Sequence, residues 1–545
     1  MRRHRDHPRK VTGLVAVVFG LLALAAMPWR SGAGTLETAG VSAHAQPACV
    51  IRDNAGKAVL NNNDALGKLL LSSGACPPDV FELRARLLAA GAKLKTAFVA
   101  NRGFHNPGEG SFSMFEIVSG KLSPLGIEIA DGEFLFGHFT GTSGSRLIAN
   151  QQPDGLMVEL IAWDPVKQVF NFYEVIGDGQ RSQWFYRGDS LDIMADVERL
   201  HRQAVPSRPQ FGKRLRCSGC HTAGGPIMKE LAPPYNDWST SKRQLPFGSL
   251  KPDAELSRIL KGLVDAGELA ASVKTGLSHL KESAKFQAAR KARSLQEQLR
   301  PLFCPVELNL ESDAQPLDDK AAQLTIPSGF FVDPRLARKD IVINRAHYDA
   351  ALATLKVSFP ETSRADGDHG WLTPVRAFSD AQAIEPLIKE GLIDQEFAAD
   401  VLAVDMTNPV FSAGRCSLLR LLPNSAAGDW QKLFKAALKA NAKSNPAAQE
   451  LLNNLTDPSR TLAFHQARAA SFLERCQKSL EARDAVVKLY QLLASRRAEA
   501  FASEISKNPR GQILEPGFRV IFPLPRPAIK AGSFQITEEG RVIPR

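Results

Sequence analysis

The stretch RLRCSGCHTAGGPIM, residues 214–228, contains two cysteines three positions apart and a histidine directly after the second. These residues are Cys217, Cys220 and His221. With seven cysteines and eleven histidines in 545 residues, chance would supply only about 0.002 copies of this arrangement. Chance therefore does not explain this stretch. A shared chemical role for the three residues explains it.

The spacing of the two cysteines brings their sulfur atoms together. Residues three apart lie on the same side of a helical turn, so Cys217 and Cys220 can both reach one ligand, with His221 beside them. A Cys-x-x-Cys-His run is the signature of covalent haem attachment, and at these five residues the chain resembles the c-type cytochromes. The resemblance implies one covalently bound haem c, with thioether bonds to Cys217 and Cys220 and with His221 as proximal iron ligand.

The resemblance is concentrated at the motif. The Gly-Gly-Pro sequence at residues 224–226 is similar to the turn that follows the proximal histidine in small cytochromes c, and the rest of the chain departs from their pattern. A di-haem peroxidase would need a second Cys-x-x-Cys-His run, which the sequence lacks. We therefore expect a single haem in a larger, different protein.

Three other interpretations of the motif stay open. A structural zinc site needs four ligands, usually in two pairs, and the sequence has no second cysteine or histidine pair at ligand spacing. A thioredoxin-like dithiol would use Cys217 and Cys220 and leave His221 without a role. A plain disulfide between the two cysteines would do the same. Covalent haem is the interpretation that uses all three residues.

The resemblance also implies a distal iron ligand, which in this family is usually a methionine. The methionines after the N-terminal segment are Met114, Met157, Met194, Met228 and Met406. Met228 follows His221 by seven residues, which reach about 23 Å when extended, and we rank it first because the chain ties it to the haem. Met406, in the loop-like DMTNPVF, is the second choice, and His369 would give a bis-histidine iron.

The N-terminus has the pattern of an export signal. A basic head, MRRHRDHPRK, precedes an apolar run at residues 11–27, and Ala-His-Ala at residues 43–45 is a site that signal peptidase can cut. We predict that residues 1–45 are a signal peptide or an N-terminal anchor, with residues 11–27 in the membrane in the second case. Either way the remainder is exported, and we expect it in the periplasm.

The charge of the exported part argues against nucleic-acid binding. The full chain has 68 Lys and Arg against 57 Asp and Glu, a net charge of +11, and residues 1–45 contain six of the former and two of the latter, which leaves +7. The basic residues after residue 45 do not alternate with aromatic residues as in a nucleic-acid groove. We predict a redox partner protein and no nucleic acid.

The cysteines outside the motif predict a disulfide. There are five of them, namely Cys49, Cys76, Cys304, Cys416 and Cys476. In an oxidising compartment an odd number leaves at least one unpaired or joined to another chain. Cys49 and Cys76 flank a polar segment near the mature N-terminus, and we predict a disulfide between them.

Hydrophobic periodicity predicts an α+β fold with a β-rich N-terminal part and a largely helical C-terminal part. We expect a helix over residues 79–100, an antiparallel sheet over 100–190 with a hairpin turning at Asp164 and Pro165, and a helix over 190–203. Helices should follow from residue 252 and dominate 379–494. The predicted domains are a β-rich domain (46–204), a haem-attachment region with its following helices (205–300) and a mainly helical domain (301–545).

These observations support two functions. The first is an exported mono-haem c-type protein that transfers electrons. The second is a haem c-dependent oxidoreductase, or a sensor, with an open sixth position on the iron. The sequence does not decide whether the haem is catalytic.

Overall fold

The computed structural model has both helices and strands, so the predicted α+β class is confirmed. The described residues are 49–72, 74–99, 113–139, 156–177, 182–195, 217, 221, 223–227, 254–304, 308–311, 321–357, 370–371, 373–376, 378–505 and 529–545. The predicted N-terminal signal, Cys220, Met228 and His369 lie outside them.

A seven-stranded sheet forms the centre of the N-terminal part. Its strands are β1 (Ile51–Arg52), β2 (Lys93–Val99), β3 (Ser113–Leu122), β4 (Ile127–Phe139), β5 (Leu156–Asp164), β6 (Val169–Gly177) and β7 (Ser182–Asp189), in the order β1-β7-β6-β5-β4-β3-β2. Strands β2 to β7 pair antiparallel with their neighbours in sequence, and β1 pairs parallel with β7. The predicted antiparallel sheet and the hairpin at Asp164 and Pro165 are therefore confirmed.

Both faces of the sheet are buried, because successive side chains of each strand point to opposite sides. In β3, Phe115 and Ile117 point to one face and Met114 and Val118 to the other. The first face, which we call the motif face, packs against α3 (Ser190–Ala195), α5 (Ala266–Glu282) and α6 (Ala284–Lys291). The opposite face packs against α1 (Ala65–Ser72), α2 (Val80–Ala89) and α4 (Ala254–Leu260).

The prediction of a helix over residues 79–100 is wrong for the second half of that range. The α2 helix starts after Asp79, whose carboxylate accepts hydrogen bonds from two backbone N–H groups of the first turn, and it ends at Ala89. The chain then turns at Gly91 (φ +99°) and continues as β2. Leu94 and Phe98 misled the prediction, since residues four apart share a face in a helix and in a strand alike. Residues 93–99 form a strand because their backbone pairs with β3.

The C-terminal part is mainly helical, as predicted. It contains α7 (Leu295–Phe303), α8 (Arg345–Leu355), α9 (Phe378–Lys389), α10 (Gln395–Leu402), α11 (Ala413–Leu418), α12 (Trp430–Asn441), α13 (Pro446–Thr456), α14 (Leu462–Ser479) and α15 (Arg483–Ile505). Three two-stranded antiparallel sheets accompany them, formed by β8 (Leu308–Glu311) with β11 (Thr373–Arg376), β9 (Gln323–Ile326) with β10 (Ile341–Asn344), and β12 (Phe534–Ile536) with β13 (Val542–Pro544). The described helices of this part and the sheets β9-β10 and β12-β13 contribute to one hydrophobic core, which is separate from the two cores of the large sheet.

Two disulfides link distant parts of the chain. The predicted bond between Cys49 and Cys76 is present, with Cα atoms 4.4 Å apart. A second bond, Cys304 to Cys416, joins the end of α7 to α11 across 112 residues and was not predicted. Cys476 is buried and belongs to neither bond, as the odd number of cysteines required.

The described residues after Ala45 belong to one compact unit. The domain boundaries proposed at residues 204/205 and 300/301 stay predictions. Among the described helices, none is both long and apolar enough to cross a membrane.

Candidate functional site

Cys217 and His221, the described residues of the motif, are buried against the motif face. The backbone N–H of His221 donates to the carbonyl of Cys217 at 2.9 Å, and that of Gly224 donates to the carbonyl of His221 at 2.8 Å. Cys217 is 5% exposed and His221 7% exposed. The turn that would bring Cys217 and Cys220 together stays a prediction, because Cys220 lies outside the described residues.

The imidazole of His221 is held in one orientation. Its Nδ1 lies 2.9 Å from the carbonyl oxygen of Gly225. A carbonyl can only accept a hydrogen bond, so Nδ1 carries a proton, and in the neutral imidazole the lone pair is on Nε2. The ring of Phe172, in β6, meets the imidazole edge-on with centroids 5.2 Å apart. A histidine that coordinates a metal through one nitrogen typically donates its other N–H to a backbone carbonyl in this way.

The segment that supplies this carbonyl, residues 223–227, is called the motif loop below. It lies between α3 and α5 at a distance that only glycine permits. Gly224 has a φ of +73°, and a Cβ there would overlap the carbonyl oxygen of Ser190 at the start of α3. A Cβ on Gly225 would lie 2.6 Å from Cδ1 of Leu277 in α5. The two helices thus fix the loop, and with it the hydrogen bond to His221.

The surroundings of Cys217 are apolar. It belongs to the core of the motif face together with Phe172, Met194 and Leu280, all of which are buried. Such surroundings suit an apolar macrocycle better than a charged metal site, because burying an unpaired charge is costly. Among the residues that the structure describes, no group of three His, Cys, Asp or Glu side chains is placed to hold a metal ion.

A cavity of about 640 Å³ opens beside the motif loop. Ala223 and Ile227 of the loop line it, as do Met194 of α3 and residues of α5, α6, α7 and α9. Its volume falls in the range of about 300–1,000 Å³ that is typical of ligand sites. The motif loop therefore borders a space large enough for a bound organic molecule.

The candidate distal ligands are dispersed. Met228 and His369 lie outside the described residues, as does Cys220. Met406 is buried in the C-terminal core, whereas Cys217 is buried in the core of the motif face. Met194 shares the core of Cys217, and its Cβ would lie 3.4 Å from a Cβ on Gly224.

The remaining two candidates are Met114 and Met157. Met114 points to the opposite face of the sheet, and of Met157 only the backbone is described. Among the described methionine side chains, Met194 is thus the one closest to the motif loop. Met194 is one of the five methionines that the sequence offers as distal ligand, and the sequence gives it no rank of its own.

Family models, curated proteins and solved structures yield no match to this chain.

Sequence reasoning missed the groups that orient the histidine. The carbonyl of Gly225, four residues after the histidine, accepts a hydrogen bond from His221. The ring of Phe172, from a distant strand, packs against the imidazole. The Gly-Gly-Pro turn was a signal for the first of them. Nothing in the sequence pairs residue 172 with residue 221, because that contact arises from the packing of the loop on the sheet.

Proposed function

We propose that the chain is an exported mono-haem c-type protein that transfers electrons in the periplasm to or from a redox partner protein. Cys217 and Cys220 hold the haem through thioether bonds, and Nε2 of His221 coordinates the iron. The observation that carries the proposal is the hydrogen bond from His221 Nδ1 to the Gly225 carbonyl. It leaves Nε2 as the coordinating nitrogen and increases its basicity.

The haem, when bound, supplies a one-electron couple between Fe(III) and Fe(II). The residues of the chain orient the imidazole and exclude water. Phe172 and the Gly225 carbonyl restrict the ring of His221, and the apolar core around Cys217 lowers the local dielectric. A low dielectric disfavours the more highly charged oxidation state, so this environment raises the reduction potential.

Denaturing electrophoresis followed by staining for haem peroxidase activity tests the proposal. The full chain, produced in cells with an intact cytochrome c maturation system, should give a stained band. The variants Cys217→Ala and Cys220→Ala should each lose most of the stain. The matched control is Cys476→Ala, a buried cysteine outside the motif, which should stain like the parent. An unstained parent band contradicts the proposal.

The cavity beside the motif loop favours a second candidate function. A haem c-dependent oxidoreductase or sensor needs space for a ligand near its haem, and a cavity of about 640 Å³ borders the motif loop, which follows His221. Carbon monoxide added to the reduced protein separates the two functions. A spectrum that does not change indicates a six-coordinate iron and electron transfer, whereas rapid binding indicates an open position.

A further inference from the structure

The cavity beside the motif loop is lined by both apolar and charged side chains. Apolar side chains include Ile227, Met194, Leu277 and Phe286, from the loop and from α3, α5 and α6. The charged side chains come mainly from the end of α5, from α6, from α7 and its preceding residues, and from α9. A ligand that fits this lining has an apolar body and a charged group.

Two arginines that line the cavity already have carboxylate partners. Nη2 of Arg300 lies 2.8 Å from Oδ1 of Asp380 in α9, and Arg290 forms an ion pair with Glu390, which follows α9. These pairs satisfy the charges of four lining residues without a ligand, and only Nε of Arg300 is left as a buried donor without a hydrogen-bond partner among their described atoms.

Arg293, between α6 and α7, is different. Its side chain is 15% exposed, and neither Nε nor Nη2 has a hydrogen-bond partner among the described residues. Oε2 of Glu297 is 4.0 Å from Nε of Arg293 and accepts a hydrogen bond from the backbone N–H of Ser294 at 3.1 Å. Burial lowers the pKa of Arg293 to about 10, so the group is charged at neutral pH.

Buried N–H groups without partners cost free energy, more so when they belong to a charged group. Lys281 and Glu282, which also line the cavity, contribute one charge of each sign. Arg293 lines the cavity, and Nε and Nη2 of its guanidinium are buried donors that no described residue satisfies. A planar guanidinium matches a carboxylate with two parallel hydrogen bonds.

We propose that this cavity binds the carboxylate of an apolar-bodied ligand through Arg293. Two sources have this chemistry. One is a propionate of the haem proposed above, and this source rests on the proposed function. The other is a free organic acid bound next to the motif loop, which requires no haem.

The variant Arg293→Gln tests the proposal in the full chain, with Arg338→Gln as the matched control. Arg338 is exposed and does not line the cavity. Two properties are measured in each protein: the midpoint potential of the haem, and the binding of octanoate by calorimetry, with neutral octanamide as the comparison ligand. Thermal unfolding establishes that both variants are folded.

If the carboxylate is a propionate, Arg293→Gln lowers the midpoint potential, since removing a nearby positive charge favours Fe(III), and octanoate does not bind. If it is a free acid, the parent binds octanoate but not octanamide, and Arg293→Gln weakens octanoate binding by about tenfold or more. Both effects together indicate a free acid close to the haem.

An Arg293→Gln protein that matches the Arg338→Gln control in potential and in octanoate binding overturns the proposal. If the chain carries no haem, only the octanoate measurement tests the carboxylate site. A parent protein that does not bind octanoate then overturns the proposal. The peroxidase stain reports haem attachment by itself. The proposal of a bound haem and the proposal of a carboxylate site at Arg293 can therefore fail independently.

Discussion

Replacing Gly224 by alanine should destabilise the motif loop strongly. Gly224 has a φ of +73°, and an alanine in this left-handed region costs about 1–2 kcal/mol. Its Cβ would also overlap the backbone oxygen of Ser190, which cannot move as a side chain would, and overpacking of this kind costs about 1–3 kcal/mol. We expect the free energy of unfolding to fall by about 2–5 kcal/mol in total, measured by urea unfolding.

Two neighbouring designs separate the contributions. Gly126 has a φ of +62° and no atom within 4 Å of a Cβ, so Gly126→Ala reports the backbone cost alone. A Cβ on Gly225, which has no positive φ, meets the flexible end of Leu277, and Leu277→Ala should largely relieve it. The reasoning is refuted if Gly224→Ala destabilises the protein no more than Gly126→Ala does.

The remaining predictions concern the iron, a disulfide and a buried acid. Met228→Ala should convert a low-spin iron to a high-spin form that accepts ligands, seen by absorption spectroscopy; an unchanged spectrum would place the sixth ligand elsewhere. Replacing Cys49 and Cys76 by alanine opens a loop of 27 residues and should lower the free energy of unfolding by about 3 kcal/mol; equal urea midpoints for parent and variant would count against this. Burial raises the pKa of Asp64 above 3.8. Its unfolded form therefore ionises first, and its contribution to stability is lost as the pH rises from about 3.8 through the folded pKa. Asp64→Asn should flatten that slope in thermal unfolding between pH 4 and 7, and an identical slope would contradict the assignment.

Much of the fold was predictable because burial imposes a period on the sequence. Alternation in β3 and β4 and the Asp164 and Pro165 turn indicated an antiparallel sheet, and helical stripes indicated the C-terminal helices. The prediction failed at β2, because the spacing of Leu94 and Phe98 fits the period of a helix and that of a strand. The bond between Cys304 and Cys416 could not be predicted, because its 112-residue separation reflects the packing of α7 on α11.

The motif was predictable and its surroundings were not. Cys217 and His221 stand out by composition and spacing, and a backbone hydrogen bond joins them in the structure. The partners that shape the site come from distant segments, namely Phe172, Leu277 and Arg293. Each is an ordinary residue of its own strand, helix or connection, so no local pattern assigns it to the motif.

Mass spectrometry of one peptide tests covalent haem attachment most directly. Trypsin cleaves after Arg216 and Lys229 and releases residues 217–229, which contain Cys217, Cys220 and His221. From protein made in cells that mature cytochromes c, we predict this peptide with the added mass of one haem, bonded to both cysteines. The same peptide recovered without haem, as two thiols or as an internal disulfide, would contradict the account.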